Sequence, residues 1–96
     1  MPLPLTDFDP TESGVPWKVL TGRGHEVVFA TPDGSVAAAD ARMVEGTGLG
    51  IWRGVLRADA RGRAAYLEMA SSAAFARPLR YEQIDARDFD AIVLAG

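Results

Sequence analysis

The sequence predicts an α/β fold with a parallel sheet, on the strength of three observations. First, its 96 residues suit one domain or part of one. Second, helix signals over residues 9–20 precede a continuous apolar run, Glu26–Ala30, and a second apolar run closes the sequence at Phe89–Leu94. Third, strands without polar alternation are typical of parallel sheets, which are covered on both faces.

Composition narrows the classes of function. Hydrophobic residues make up 48% and charged residues 24% of the chain, so it should fold into a globular domain. Ten basic and thirteen acidic residues give a net charge of -3, which argues against a nucleic-acid partner. We find no signal peptide and no membrane-spanning run, and expect a cytoplasmic protein. With no cysteine, these residues supply no disulfide, thiolate zinc site or cysteine nucleophile.

The first element after the short, proline-rich segment Met1–Leu5 is a helix. That opening segment can form only the tail of a strand, because proline donates no ladder hydrogen bond. Asp9 suits the N-cap of the helix, Pro10 its first position, and Glu12 the third position of a capping box.

This helix is expected to reach Leu20 despite Pro16. Gly22 or Gly24 then supplies a left-handed stop. The predicted strand Glu26–Ala30 follows, and Thr31–Gly34 has the residues of a turn.

The second half of the chain carries weaker patterns. Val36–Ile51 is predicted to be mostly loop, and a helix is predicted after Asp59, ending before Pro78. Arg63 and Glu68 are placed on the surface of that helix. Its apolar face is formed by Tyr66, Met69, Ala70 and Ala73.

Most candidate site residues have a simple structural interpretation. His25 is the only histidine and is expected on the surface, with no metal ligands at a suitable spacing. The glycines at 46, 48 and 50 lack a dinucleotide-binding fingerprint, and the aspartates at 85, 88 and 90 lack that of a calcium loop. Ser71 and Ser72 are expected within the second helix, and the tryptophans at 17 and 52 in packing. We therefore expect neither a metal nor a cofactor.

Glu12 has two interpretations on residue pattern alone. It can close a capping box, or it can be an acid at the carboxyl edge of the sheet, where open α/β sheets bind ligands. The two roles are compatible.

Four segments, taken in order, resemble the ThiJ/PfpI family of the class I glutamine amidotransferase-like superfamily. They are Phe8–Glu12, Val15–Leu20, Gly24–Gly34 and Phe89–Gly96. The length of Ala39–Ile84 is more similar to the heat-shock chaperone and glyoxalase III branch than to compact PfpI-type proteases.

The resemblance implies a flavodoxin-like three-layer sandwich, of which residues 1–96 would be the amino-terminal part. Family members carry a cysteine on a nucleophile elbow, a nearby histidine, and a glutamate from the first helix that contacts the thiol. Glu12 matches that glutamate. Gly96 matches the first glycine of a Gly-Gly turn whose second glycine binds an oxyanion.

The resemblance also implies a cofactor-free, cysteine-dependent enzyme. Its activity would be glyoxalase III-like conversion of methylglyoxal to lactate, or peptidase or amidase action. The expected partners are the carboxy-terminal half of the domain or a second chain bearing the nucleophile, and further copies in a homo-oligomer such as a dimer. The alternative is a non-catalytic, chaperone-like or protein-interaction module, favoured by the missing nucleophile.

Overall fold

The computed structural model describes residues 1–40 and 60–95. Within these ranges the strands are β1 (Thr6–Phe8), β2 (Ala30–Thr31), β3 (Ala38–Ala39) and β4 (Leu79–Arg80). The α-helices are α1 (Pro10–Gly22), α2 (Ala60–Ala70) and α3 (Ala73–Ala76), and 3₁₀ helices span Tyr81–Gln83 and Ala86–Asp88.

All the described strand pairs are parallel, which confirms the α/β class. β1 pairs with β3, and β2 pairs with β4. A bridge between Pro2 and Ala30 links the two small sheets, and the Leu3 N–H donates to the Ala30 carbonyl at 2.8 Å. The lateral order is therefore β3, β1, β2, β4.

The strand predicted over Glu26–Ala30 is shorter than expected, since β2 covers only Ala30–Thr31. Ala30 pairs with Leu79 of β4, so in the same register residues 26–28 lie opposite residues 75–77. Those residues belong to α3 and its C-cap and offer no strand to pair with. The loop predicted over Val36–Ile51 is wrong at β3, and residues 41–51 lie outside the described ranges.

The strand predicted over Phe89–Leu94 is wrong. Residues 91–95 run without helix, turn or bend and belong to no described strand. No backbone hydrogen bond to another described residue involves 90–95. An apolar run becomes a strand only where a neighbour offers backbone partners, and the described chain offers none here.

Helix α1 starts and ends as its sequence signals predict. Asp9 is the N-cap, Pro10 the first residue, and Pro16 lies inside the helix without ending it. Gly24 has a φ of 84° just beyond the last turn, so the predicted left-handed stop is confirmed at this glycine.

The region predicted as one helix up to Pro78 is two helices, with Ser71 and Ser72 between them. The Ser72 Oγ accepts the Phe75 N–H at 3.2 Å and caps α3. Placing these serines inside a helix was therefore wrong, because the Ser72 hydroxyl competes for backbone partners and favours a cap. Asp59, the predicted cap of α2, lies outside the described ranges.

Helices α1 and α2 lie side by side and parallel. Gly14 of α1 faces the backbone of Ala65 and Tyr66, and Gly62 of α2 faces the Thr11 side chain. Further along, Lys18 pairs with Glu68 at 3.0 Å. Contacts that advance in the same direction along both helices place their N-termini at the same end of the molecule.

A small apolar core lies between the helices and the strands. Its buried members are Leu3, Phe8, Val27, Phe29, Ala37, Met69 and Phe75. Phe29 and Phe75 meet edge to face with ring centroids 5.3 Å apart. Trp17 packs against this cluster, which confirms its predicted packing role.

Candidate functional site at the carboxyl edge of the sheet

The candidate site lies where β1 ends and α1 begins. The Asp9 Oδ1 accepts backbone N–H groups from Thr11 at 2.7 Å and Glu12 at 3.1 Å. This cap satisfies donors that a helix start otherwise leaves unpaired. It fixes the first turn of α1 at the carboxyl edge of the sheet.

Glu12 lies in this first turn and is exposed. Within the described residues its carboxylate makes no hydrogen bond or ion pair, so the capping box is not formed and Asp9 alone carries the cap. The partial positive charge of a helix N-terminus favours a carboxylate at this position. Glu12 is thus held on a rigid element and its oxygens are available to another group.

Arg63 also lies at the carboxyl edge of the sheet, a position that the sequence did not indicate. It lies in the first turn of α2, directly after Gly62, which contacts Thr11. The sequence placed it on the surface, but it is only partly exposed and its Nε is buried without a hydrogen-bond partner. A buried donor left unpaired typically costs about 1–3 kcal/mol. The parallel alignment of α1 and α2 is what brings Arg63 near the start of α1.

Tyr66 of α2 contacts residues at the ends of two strands. Its hydroxyl accepts the Ala39 N–H at 3.3 Å, and its ring meets that of Phe8 edge to face at 6.1 Å. Phe8 and Ala39 end β1 and β3. Since Arg63 precedes Tyr66 by about one helical turn, the arginine lies beyond these strand ends, on the same side as Glu12.

Asp7 controls the passage from β1 into α1. Its φ is 64°, in the left-handed region that non-glycine residues seldom occupy. Its Oδ2 accepts the Thr6 hydroxyl at 3.1 Å, and the β1–β3 register shifts between Thr6 and Phe8. This local distortion turns the chain toward the helix.

Other sequence candidates lie elsewhere. His25 is exposed before β2, at the opposite edge of the sheet, which confirms its predicted surface position. Gly96, Trp52 and the glycines at 46, 48 and 50 lie outside the described ranges, so Gly96 stays a prediction. Among the residues described, no group of three His, Cys, Asp or Glu side chains is arranged to hold a metal ion.

Parallel strands and a capped helix define an α/β protein, and the unpaired acid lies at the carboxyl edge, where open sheets of this class bind ligands. A family model described as ThiJ/PfpI family-like matches residues 3–96, and the chain belongs to this family. This confirms the family resemblance and the flavodoxin-like fold class. The branch within the family stays a prediction.

The other two comparisons add no relatives. Neither the curated proteins nor the solved structures contain a significant match. Within the part of the chain that the structure describes, no helix has both the length and the apolar character needed to cross a membrane.

Proposed function

We propose that this chain supplies the glutamate of a cofactor-free, cysteine-dependent ThiJ/PfpI-like enzyme. Glu12 is the proposed catalytic residue, and the thiol and the complete oxyanion turn next to Gly96 belong to polypeptide outside these residues. The preferred activity is glyoxalase III-like conversion of methylglyoxal to lactate, with peptidase or amidase action as the related option.

The observation that carries this proposal is the state of Glu12. It matches the family glutamate within a chain that belongs to the family, and its carboxylate has no partner among the described residues. A carboxyl group at that position can share a proton with a sulfur, which orients the thiol and adjusts how readily it becomes a thiolate.

The chemistry requires both groups. The thiolate adds to the aldehyde carbon of methylglyoxal, a hydrogen moves from that carbon to the neighbouring carbonyl carbon, and water hydrolyses the resulting thioester to lactate. The net reaction adds one water molecule and needs no external oxidant or reductant. Glu12 would hold the proton that the sulfur loses and return it when the thioester is cleaved.

The test compares Glu12→Gln with the unmodified protein, each in complex with the polypeptide that bears the thiol. Co-purification and intact-mass measurement identify that polypeptide, and the loss of methylglyoxal is then followed over time. We expect kcat/KM to fall about 10²- to 10⁴-fold, the usual contribution of a positioned acid or base. Glu68→Gln, the same chemical change at an exposed position, is the matched control and should retain activity.

Two results would contradict the proposal. Equal turnover by the Glu12→Gln and unmodified complexes would remove this carboxylate from the mechanism. Turnover by the isolated 96-residue chain would show that the reaction does not need a cysteine.

The second candidate function is a non-catalytic, chaperone-like interaction module. Exposed apolar side chains favour it, above all Ile92 and Leu94, which are 55% and 79% exposed. Exposed apolar surface of this kind is typical of contact sites for other proteins. Light scattering separates the two functions: a monodisperse monomer that does not slow the aggregation of an unfolding client protein would exclude the chaperone role.

A further inference from the structure

We propose that the groove at the amino end of β2 binds an extended, basic peptide strand from a second polypeptide. We call it the amino-end groove. It is lined by residues 25–28 and 88–91, together with Met1, Leu20 and Val93. The proposal does not depend on the chemistry of Glu12, which lies at the opposite edge of the sheet.

The size of the groove suits a peptide. Its volume is about 550 Å³, within the 300–1,000 Å³ typical of ligand sites. A neighbouring apolar cavity against Phe29, Leu79 and Ile92 has only about 30 Å³, which is too small for anything beyond a water molecule. The amino-end groove therefore has room for a segment of chain, and the smaller cavity does not.

Unpaired backbone lines two sides of this groove. Residues 25–29 and 91–95 both run without helix, turn or bend. Glu26 and Val27 make no backbone hydrogen bond to described residues, and neither do residues 90–95. Free N–H and C=O groups in a straight segment can pair with an added strand, which is the recognition mode called β-augmentation.

The side chains of the groove select the chemistry of that strand. Leu20, Val28 and Val93 provide partly exposed apolar surface, while Glu26, Asp88 and Asp90 are exposed carboxylates. Two groups able to carry positive charge also line the groove, His25 and the amine of Met1. The Met1 amine donates to the Val28 carbonyl at 2.8 Å. Burial lowers the pKa of the Met1 amine, so a smaller fraction of it is protonated and positively charged. A strand that alternates apolar and basic side chains matches this arrangement, since successive side chains of a strand point to opposite sides.

The probe is a fluorescein-labelled peptide, Lys-Val-Lys-Val-Lys-Val with a C-terminal amide, titrated into the 96-residue chain while fluorescence anisotropy is recorded. We expect saturable binding. The double variant Asp88→Asn/Asp90→Asn should weaken it about fivefold or more, because two attractive charges are lost. Glu82→Gln, an exposed acid outside the groove, should leave the affinity within about twofold.

A second peptide tests strand pairing separately from charge. N-methylation of its valine nitrogens keeps every side chain and removes backbone donors, so we expect a loss of affinity of about tenfold or more. This comparison leaves the protein unchanged and does not depend on how well the variants fold.

Three outcomes would overturn the proposal. They are the absence of binding, equal affinity for the methylated and unmethylated peptides, and equal affinity of the double variant and the unmodified chain. Self-association that blocks the peptide would assign the groove to a second copy of this chain instead. None of these results affects the Glu12 assay, so a failure here is distinct from a failure of the proposed enzyme function.

Discussion

The segment 89–95 is richer in apolar residues than the α1–α2 helix pair, yet its side chains are far more exposed. In the helix pair, Ala65 and Met69 are almost completely buried, at 1% and 0% exposure. In the segment, Ile92 and Leu94 remain largely exposed.

Backbone hydrogen bonding explains this difference. A helix satisfies its own N–H and C=O groups, so α1 and α2 need only each other and the strands for side-chain burial. A straight segment depends on a neighbour for both backbone pairing and burial. The contrast shows that the facing sides of α1 and α2 are buried by each other and by the core within the described chain, whereas the backbone and apolar side chains of 89–95 have no such neighbour there.

The largest expected difference between the helix pair and the segment 89–95 comes from replacing one side chain of each with alanine. Met69→Ala should lower the free energy of unfolding by about 2–5 kcal/mol, because it removes a fully buried side chain and leaves a cavity. Chemical denaturation followed by circular dichroism measures the change. Leu94→Ala should stay within about 0.5 kcal/mol. A large loss at Leu94 would mean that the segment already has a packed neighbour.

The second test addresses the close approach of the two helices. A Cβ on Gly14 would lie 2.7 Å from the Tyr66 backbone nitrogen. Gly14→Ala should therefore destabilise the protein by about 1–3 kcal/mol, the usual cost of overpacking. Gly22→Ala is the matched control in the same helix, because a Cβ there meets nothing within 4 Å. It should be neutral or stabilise by up to about 1 kcal/mol, and similar effects of both substitutions on thermal unfolding would contradict the close crossing.

The smallest expected effect is a pH dependence of stability caused by Asp85, which precedes the segment 89–95. Hydrogen bonds from the Arg87 side chain and backbone hold the pKa of Asp85 below its ordinary value. A pKa that is lower in the folded state stabilises the fold above the unfolded-state pKa, and this contribution is lost as the pH falls through the folded-state value. Asp85→Asn should slightly flatten the acid side of the stability profile, as measured by denaturant midpoints at a series of pH values. Identical acid slopes for the two proteins would show that the Asp85–Arg87 contact is not maintained in solution.

Local signals in the sequence predicted local structure well. Asp9 and Pro10 predicted the start of α1, and Gly22 or Gly24 its stop, because caps depend on residues within one turn. Gly24 is the one with the left-handed φ. The strand lengths could not be predicted in this way. The extent of β2 depends on where β4 begins after α3, and the pairing of residues 89–95 depends on a neighbour that the described chain lacks.

The candidate site was predictable only in part. The family motif indicated Glu12 and its place in the first turn of α1. The absence of a partner for Glu12 and the position of Arg63 both depend on how α1 and α2 align. The residue pattern along one helix carries no information about that alignment. Arg63 has the spacing of an ordinary surface residue, and only the Thr11–Gly62 contact brings it to this edge.

The backbone of Asp7, in β1, affects the direction in which Glu12, five residues later, projects. Its positive φ sets the angle at which α1 leaves β1, so one torsion governs the direction in which the whole first turn projects. Glycine and asparagine adopt this torsion readily, whereas a β-branched side chain resists it. Natural variation at position 7 should accordingly be confined to aspartate, asparagine and glycine wherever the Glu12 carboxylate must reach a reacting group.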